Sequence, residues 1–191
     1  MANLLTLEKY KTIKGKNLSN PNEDGRIQAL LTSISDAVRT YIGRQLTDFY
    51  ATDKVEYSPG NVLAVYLKEY PIVGTPTIEY KTSAGTYATM SEGTDYFLDT
   101  DIGTINVVGE SVFSSSKNPK FIKVTYRGGY SDCPEDIKMA IADYVEKQIK
   151  SEHATNKTLG GQDSMTFPAI AQGRLPSHIS VILDMYRVPV L

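Results

Sequence analysis

The residues with the clearest potential for chemistry lie in the acidic run Asp95, Asp99 and Asp101 with Gly103, since closely spaced carboxylates around a glycine can wrap a hard cation such as calcium. A calcium loop also needs a third liganding position, a central glycine at fixed offset and a distal glutamate. None of these fits, so the run reads as an acidic hairpin turn. Cys133 stands at the start of a helical pattern, where the dipole can lower a thiol pKa. Neither His153 nor His178 forms a recognisable Cys/His signature, and the thiol reads as structural. Ser114 to Ser116 and Ser164 lack the G-x-S-x-G elbow of a serine nucleophile. Gly15, between Lys14 and Lys16, belongs to no phosphate-cradling glycine motif. Thirteen tyrosines could form a stacking face for sugars or bases. Spread at strand spacings, without tryptophan and without a basic excess, they read as structural. No catalytic, cofactor-binding or metal site is expected, and the chain does not read as an enzyme.

Bulk properties narrow the field further. A length of 191 residues with 41% hydrophobic content fills the core of one domain, or of one domain with an inserted or trailing part. A net charge of −2 argues against gripping nucleic acid through its phosphates, which needs excess Lys and Arg on one face. DNA can pass nearby without being held. One cysteine permits no internal disulfide, which suits a reducing cytoplasm. The N-terminus lacks the pattern of a signal peptide and no segment approaches the ~20 apolar residues of a membrane span. A soluble protein, not secreted and not membrane-bound, is expected.

The elements that must carry any surface run α, then β, then α. Thr6 to Ile13 reads as a short helix capped by Thr6, with Leu7, Tyr10 and Ile13 on one face. A longer helix is expected to start near Asn22 to Asp24, with Ile27, Leu30, Leu31, Ile34, Val38, Tyr41 and Ile42 on one stripe. Gly43 weakens it, and Arg44 and Leu46 continue it briefly. From Lys54 to Tyr130 the apolar period shortens to that of strands, and at least five are expected. Tyr70 to Pro76 has a proline at each end and reads as a bend between two strands. Asp95 to Leu98 and Thr104 to Val108 form a hairpin, and Ser111 to Asn118 a polar loop. Phe121 to Tyr126 is extended, Gly128 and Gly129 break the pattern, and Pro134 sets the first turn of a helix. That helix carries Ile137, Ala140, Ile141, Tyr144, Val145 and Ile149 inward, with Lys138, Glu146, Lys147 and Lys150 outside.

Ala154 to Arg174 has few apolar residues and paired glycines, and reads as an arm or mobile loop. A final helix follows, started by Pro176 or Ser177 and bearing Ile179, Ile182, Leu183 and Tyr186, with Val181 and Met185 widening its apolar surface. Such a helix on a long arm suits docking on another molecule or another copy. Periodicity alone equally allows it to fold back on its own domain. The expected fold is α+β: a helical bundle of two N-terminal helices, one long helix after the β block and one C-terminal helix, with a central, mostly antiparallel β-rich insertion. The expected parts are residues 1–52 and 131–153 as the helical core, 53–130 as the β-rich subdomain, and 154–191 as arm and docking helix.

Four stretches in this order carry a family likeness: Tyr41-Ile42-Gly43-Arg44, Leu67-Lys68-Glu69-Tyr70-Pro71-Ile72, the Asp95 to Leu98 and Gly103 to Ile105 hairpin, and Val124 to Tyr130 followed by Cys133 to Ala140. Over roughly residues 5–150 the chain resembles the head-tail connector proteins of tailed bacteriophages, also called head-completion or neck adaptor proteins. The resemblance implies a structural protein of the virion neck, made in the host cytoplasm. It implies a ring of twelve copies between the portal protein and the stopper or tail, with DNA passing through the lumen unbound. It also implies that the C-terminal segment reaches the portal, which makes Leu175, Ile179, Ile182, Leu183 and Tyr186 the expected docking residues. The β block is longer than in the compact, nearly all-helical members. Two other readings remain at this point: a carbohydrate- or surface-binding β module using its tyrosines, and another neck or tail-completion component.

Overall fold

A computed structural model describes residues 3–16, 20–108, 118–153, 157–159, 163–165 and 175–188. The fold is α+β, and the chain divides into a helical unit, Met1–Gly43 with Cys133–Leu191, and a β unit, Arg44–Asp132. The polar loop around Ser114 to Ser116 lies outside the described residues.

The helical unit contains α1 (Leu7–Lys14), α2 (Pro21–Ile42), α3 (Glu135–His153) and α4 (Ser177–Asp184). Thr6 caps α1 by accepting from the Lys9 N–H at 3.3 Å, and Tyr10 is its fully buried side chain. The helix α2 begins at Pro21, slightly before the acidic residues, because a proline at the first helical position lacks only a donor that has no partner there. Ile27, Leu31, Ile34, Val38 and Ile42 form its buried stripe. It ends at Ile42, and Arg44 and Leu46 do not continue it: Gly43 takes the left-handed conformation, φ +77°, and closes the last turn on the Arg39 carbonyl. In α3 the inward stripe includes Ile137, Ala140, Ile141 and Val145. Lys138 differs from expectation, since it is buried with its ammonium 3.0 Å from Glu135, an arrangement open to a long aliphatic stem.

Charged side chains tie α1 to α3. Lys14 Nζ lies 2.6 Å from Asp143 and 2.8 Å from Glu146, and Lys150 approaches Glu146 at 2.9 Å. Short strands β8 (Lys157–Leu159) and β9 (Asp163–Met165) pair antiparallel. The stretch expected as an arm therefore contains a hairpin. Its remaining residues, and every side chain from 151 to 174, lie outside the described residues.

The β unit has two antiparallel sheets. One runs in the order β1 (Lys54–Ser58), β7 (Ile122–Gly128), β3 (Ile72–Lys81), β4 (Tyr87–Thr89); the other runs β2 (Ala64–Tyr66), β6 (Thr104–Val107), β5 (Tyr96–Asp99). Alternation sets the faces. Ile122, Val124 and Tyr126 of β7 point inward with Ile72 and Ile78 of β3, and they share one apolar cluster with Val65, Tyr96 and Ile105 of the second sheet. The outward faces of the two sheets thus lie on opposite sides of the unit. The expected bend at Tyr70 to Pro76 is instead largely part of β3. The register against β7 shifts between Val73 and Thr77, so Gly74, Thr75 and Pro76 form a bulge in which proline loses no ladder bond and Gly74 supplies φ +74°.

Gly128 and Gly129 do more than end a strand. A Cβ on Gly128 would stand 2.3 Å from the Glu69 carbonyl oxygen, and one on Gly129 would stand 2.2 Å from that of Leu46.

Two outcomes follow from this packing. Gly129→Ala, at φ +98° and against backbone, costs more than Gly85→Ala, where φ is +85° but nothing lies within 4 Å; the latter carries only the left-handed penalty of about 1–2 kcal/mol. Urea midpoints of the two variants check the order. The second concerns acid. Lys14 and then Lys150, hydrogen-bonded to Glu146, hold its carboxyl down to about 2 from an ordinary 4.5. A depressed carboxyl stabilises the fold above its unfolded value, so this contribution fades as the pH falls from 4.5 to about 2. Being partly exposed, the tie contributes at most about 1 kcal/mol. Glu146→Gln therefore flattens the stability profile over that range and leaves its shape near pH 7 unchanged, as denaturation at several pH values reads directly.

Candidate functional site

The acidic hairpin holds itself together. Asp95 accepts from the Ser91 N–H at 2.7 Å, and one oxygen of Asp99 accepts from the Asp101 and Ile102 N–H groups at 3.1 and 3.3 Å. Carboxylates spent on their own turn are Asx-type caps. Among the described residues no three His, Cys, Asp or Glu side chains are grouped to hold a metal. Cys133 is buried and His178 is exposed, while the side chains of His153 and Ser164 lie outside the described residues.

Many tyrosines act as ties rather than as a stacking face. Tyr41 and Tyr186 donate to Asp184 and Asp136, each at 2.8 Å, which fastens α4 to the helical unit. Tyr87 donates to the Lys120 carbonyl at 2.9 Å. Tyr126 donates to Glu56 at 2.8 Å and accepts from the Glu69 N–H at 3.1 Å. Burial, reinforced by the Glu56 charge, pushes the Tyr126 hydroxyl well above its ordinary value, so it stays protonated.

Tyr126 belongs to a buried ionic knot. The carboxylate of Glu69 accepts from the Gln45 N–H at 3.0 Å, the Leu46 N–H at 3.2 Å and Lys54 Nζ at 2.9 Å, with Arg44 Nε 3.9 Å away. Lys54 also reaches Glu56 at 2.8 Å. The Arg44 guanidinium donates to the Tyr70 carbonyl and lies 3.8 Å from the centre of the Tyr70 ring and 5.7 Å from that of Tyr130. Aromatic faces take the place of some of its hydrogen-bond acceptors. Sequence reading passed over Arg44 and Glu69 as site residues, because a charged residue beside a turn normally lies in solvent; a signal was the pair of tyrosines and the double glycine that crowd them.

Several large apolar side chains stand exposed on the described surface. On the outward face of the three-stranded sheet, register places Ala64, Asn106 and Phe97 in one row, with Tyr66 beside it; Phe97 is 55% exposed and the adjoining Leu63 90%. On the outward face of the four-stranded sheet, Val55 and Tyr57 of the edge strand β1 are nearly half exposed. Beside them a groove of about 520 Å³ runs over the β3 bulge, lined by Thr52, Asp53, Thr77, Thr125 and Arg127 among others. In the helical unit Val181 and Met185 are 66% and 67% exposed.

The five expected docking residues do not share one surface. Ile179 and Leu183 are buried, while Leu175, Ile182 and Tyr186 are half-buried. Of the two readings of the last helix, the structure has the one in which it packs on its own unit, beside α2 and α3. The Val188 N–H donates to the Ile42 carbonyl at 3.0 Å and continues the seat past the helix. The outward residues of α4 are Val181 and Met185, four apart on one face.

The model of the family described as "Head completion protein" matches residues 3–188. A protein of Escherichia phage T5 named "Head completion protein" is 23% identical over 188 residues, covering 96% of this chain and 98% of that one. The fold resembles a chain in the neck of an empty gene transfer agent particle computed with C6 symmetry, with TM-score 0.55 and 13% identity over 98% of this chain and 92% of the other. It also resembles a chain in the virion of a native gene transfer agent particle, with TM-score 0.50, 11% identity and the same two coverages.

The knot sets a measurable contrast. Glu69→Ala leaves Arg44 and Lys54 without their shared carboxylate and lowers stability by about 3–5 kcal/mol. Removal of the outward Lys123, 2.7 Å from Glu79, costs under about 1 kcal/mol. Equal urea midpoints for E69A and K123A would refute this account of the β unit.

Proposed function

The chain belongs to the head completion protein family, and from that membership we propose that it is a structural adaptor of a tailed virus particle. It forms a ring between the portal vertex and the stopper or tail, completes the head and continues the DNA channel. The observation that carries this reading is the extent of the family match, residues 3–188, which takes in both the helical and the β units rather than a shared module. It has no catalytic task and needs no cofactor. Its working parts are surfaces, and the exposed apolar side chains on both sheets and on α4 supply them. The net charge of −2 suits a channel through which DNA slides without being held. The protein works in the neck of the virion, after synthesis in the host cytoplasm, and the resemblance to connector proteins puts twelve copies in the ring.

Portal contact is made by the C-terminal helix. Ile179 and Leu183 seat α4 on its own unit, while Leu175, Ile182 and Tyr186 at its margin, with the outward Val181 and Met185, meet the portal. A single shallow contact of this kind is weak. Many copies held in one ring raise the effective concentration at every site, so attachment becomes durable.

Genetic complementation in the virus that encodes the chain tests both statements. Without the gene, infected cells accumulate packaged heads that lack tails and lose DNA, and the full chain restores infectious particles. Tailed, infectious particles formed in its absence would sink the adaptor reading. A V181D/M185D chain with an unchanged circular dichroism spectrum fails to complement. If it complements fully, the portal role of α4 is lost while the adaptor role stands.

A further inference from the structure

Resting on the adaptor reading, we propose that neighbouring copies dock head to tail through their β units, the outward face of the three-stranded sheet of one copy seating on the outward face of the four-stranded sheet of the next.

Three observations lead there. The two sheets bury their inner faces in a shared cluster, so their outward faces point in opposite directions. Each of these faces carries large apolar side chains left in water: Tyr66 and Phe97 on one, with the exposed Leu63 just ahead of its edge strand, and Val55 and Tyr57 on the other. A β unit with apolar patches on opposite sides is suited to a heterologous contact, in which patch meets a different patch. Such contacts close into a ring when the rotation between successive copies divides a full turn and run on as a filament when it does not, whereas a self-complementary patch stops at a dimer.

Charge fixes which patch meets which. Around the three-stranded face the segments 62–68 and 91–108 carry Glu92, Asp95, Asp99 and Asp101 against Lys68. Around the four-stranded face stand Lys81, Lys120, Lys123 and Arg127 against Glu79 and Asp53. Two of these lysines are held over tyrosine rings, Lys120 at 5.4 Å from Tyr57 and Lys123 at 5.5 Å from Tyr87, which keeps positive charge beside apolar surface. Like faces repel and unlike faces attract, so the electrostatics disfavour the dimer and favour head-to-tail order. The groove beside Val55 lies on the receiving face, and its threonines, together with an Arg127 that stands 3.7 Å from the Asp53 also lining it, offer donors to the acidic β5–β6 turn of the incoming copy.

A photo-cross-linking map tests this. The full chain carrying p-benzoylphenylalanine in place of Phe97 is assembled into particles, irradiated, and the adducts located by mass spectrometry. Adducts on β1, β3 or β7 of a second copy, within residues 52–57, 73–81 or 120–127, support the proposal; the probe placed at Tyr57 gives the reciprocal map onto residues 63–66 and 95–108. Adducts joining Phe97 to the three-stranded face of another copy, adducts on a different protein, or no adduct in particles that contain the chain each overturn it. Asp101→Lys, at an exposed carboxylate of the same turn, lowers the yield by about tenfold at low salt, and Lys120→Glu in the same chain restores it; yields that ignore both changes also count against it. Particles that complete their heads while the maps fail would refute this interface and leave the adaptor reading intact.

Discussion

A carboxylate and a guanidinium enclosed in the β unit set the terms for everything around them. Glu69 and Arg44 are almost wholly removed from water, a state that costs several kcal/mol per ion unless geometry is close to ideal. For Glu69 the chain meets that demand with backbone N–H groups, while Arg44 leans on aromatic faces and leaves Nε and Nη1 without a hydrogen-bond partner among the described residues. Gln45 and Leu46 turn their N–H groups onto Glu69, for which Leu46 adopts a left-handed φ of +72° that a leucine rarely takes. Gly128 and Gly129 then let β7 approach Glu69 and Leu46 so closely that any side chain would collide. Tyr130 completes the seal by donating to the Leu46 carbonyl at 2.7 Å.

Each of the four stretches that carry the family likeness contributes to this knot or to its walls. Arg44 ends the first; Glu69, Tyr70 and Pro71 lie in the second. Gly103 in the third gives its carbonyl to Leu67 at 2.8 Å and leaves room for the Tyr70 side chain. Tyr126, Gly128, Gly129 and Tyr130 lie in the fourth. Each stretch alone is a turn or a cap, and the residues just named are ligands or walls of one buried charge cluster. Their order in the chain follows from the strands that must bring them there.

How much of this could be read beforehand depended on the range of the interaction. The stripes of α2 and α3, the cap at Thr6 and the acidic hairpin are local, and spacing alone reveals them. The bulge in β3 was hidden because proline and glycine signal a break without saying whether a neighbouring strand tolerates it. Lys138 was misplaced because hydropathy treats lysine as one object, although its stem and its ammonium prefer different surroundings. The burial of Arg44 and Glu69 was invisible for a deeper reason: a charge goes inside only if distant partners arrive, and Lys54 and Tyr126 arrive from 10 and 82 positions beyond Arg44. The same limit applied to the candidate surface. Alternation identifies two faces for Val55 and Tyr57 but not which one is covered, and the apolar pattern of the last helix could not distinguish its own unit from another molecule as its seat.

Within an otherwise apolar interior the β unit encloses one charge cluster while leaving several large apolar side chains outside, and this pairing fits an adaptor. Charges that would serve solubility at the surface are drawn inside to hold two sheets and a turn in register, while tyrosine, phenylalanine and valine stand outward on the strands. A protein that acts as a monomer gains nothing from that exchange, since exposed apolar area invites association. A protein whose final state is a ring needs a rigid body between two adhesive faces, because any play within one copy is repeated at every copy and prevents closure. Buried ionic geometry supplies directional stiffness that packing alone does not. The β unit accordingly holds an ionic knot within an apolar core and carries exposed tyrosine, phenylalanine and valine on its strands.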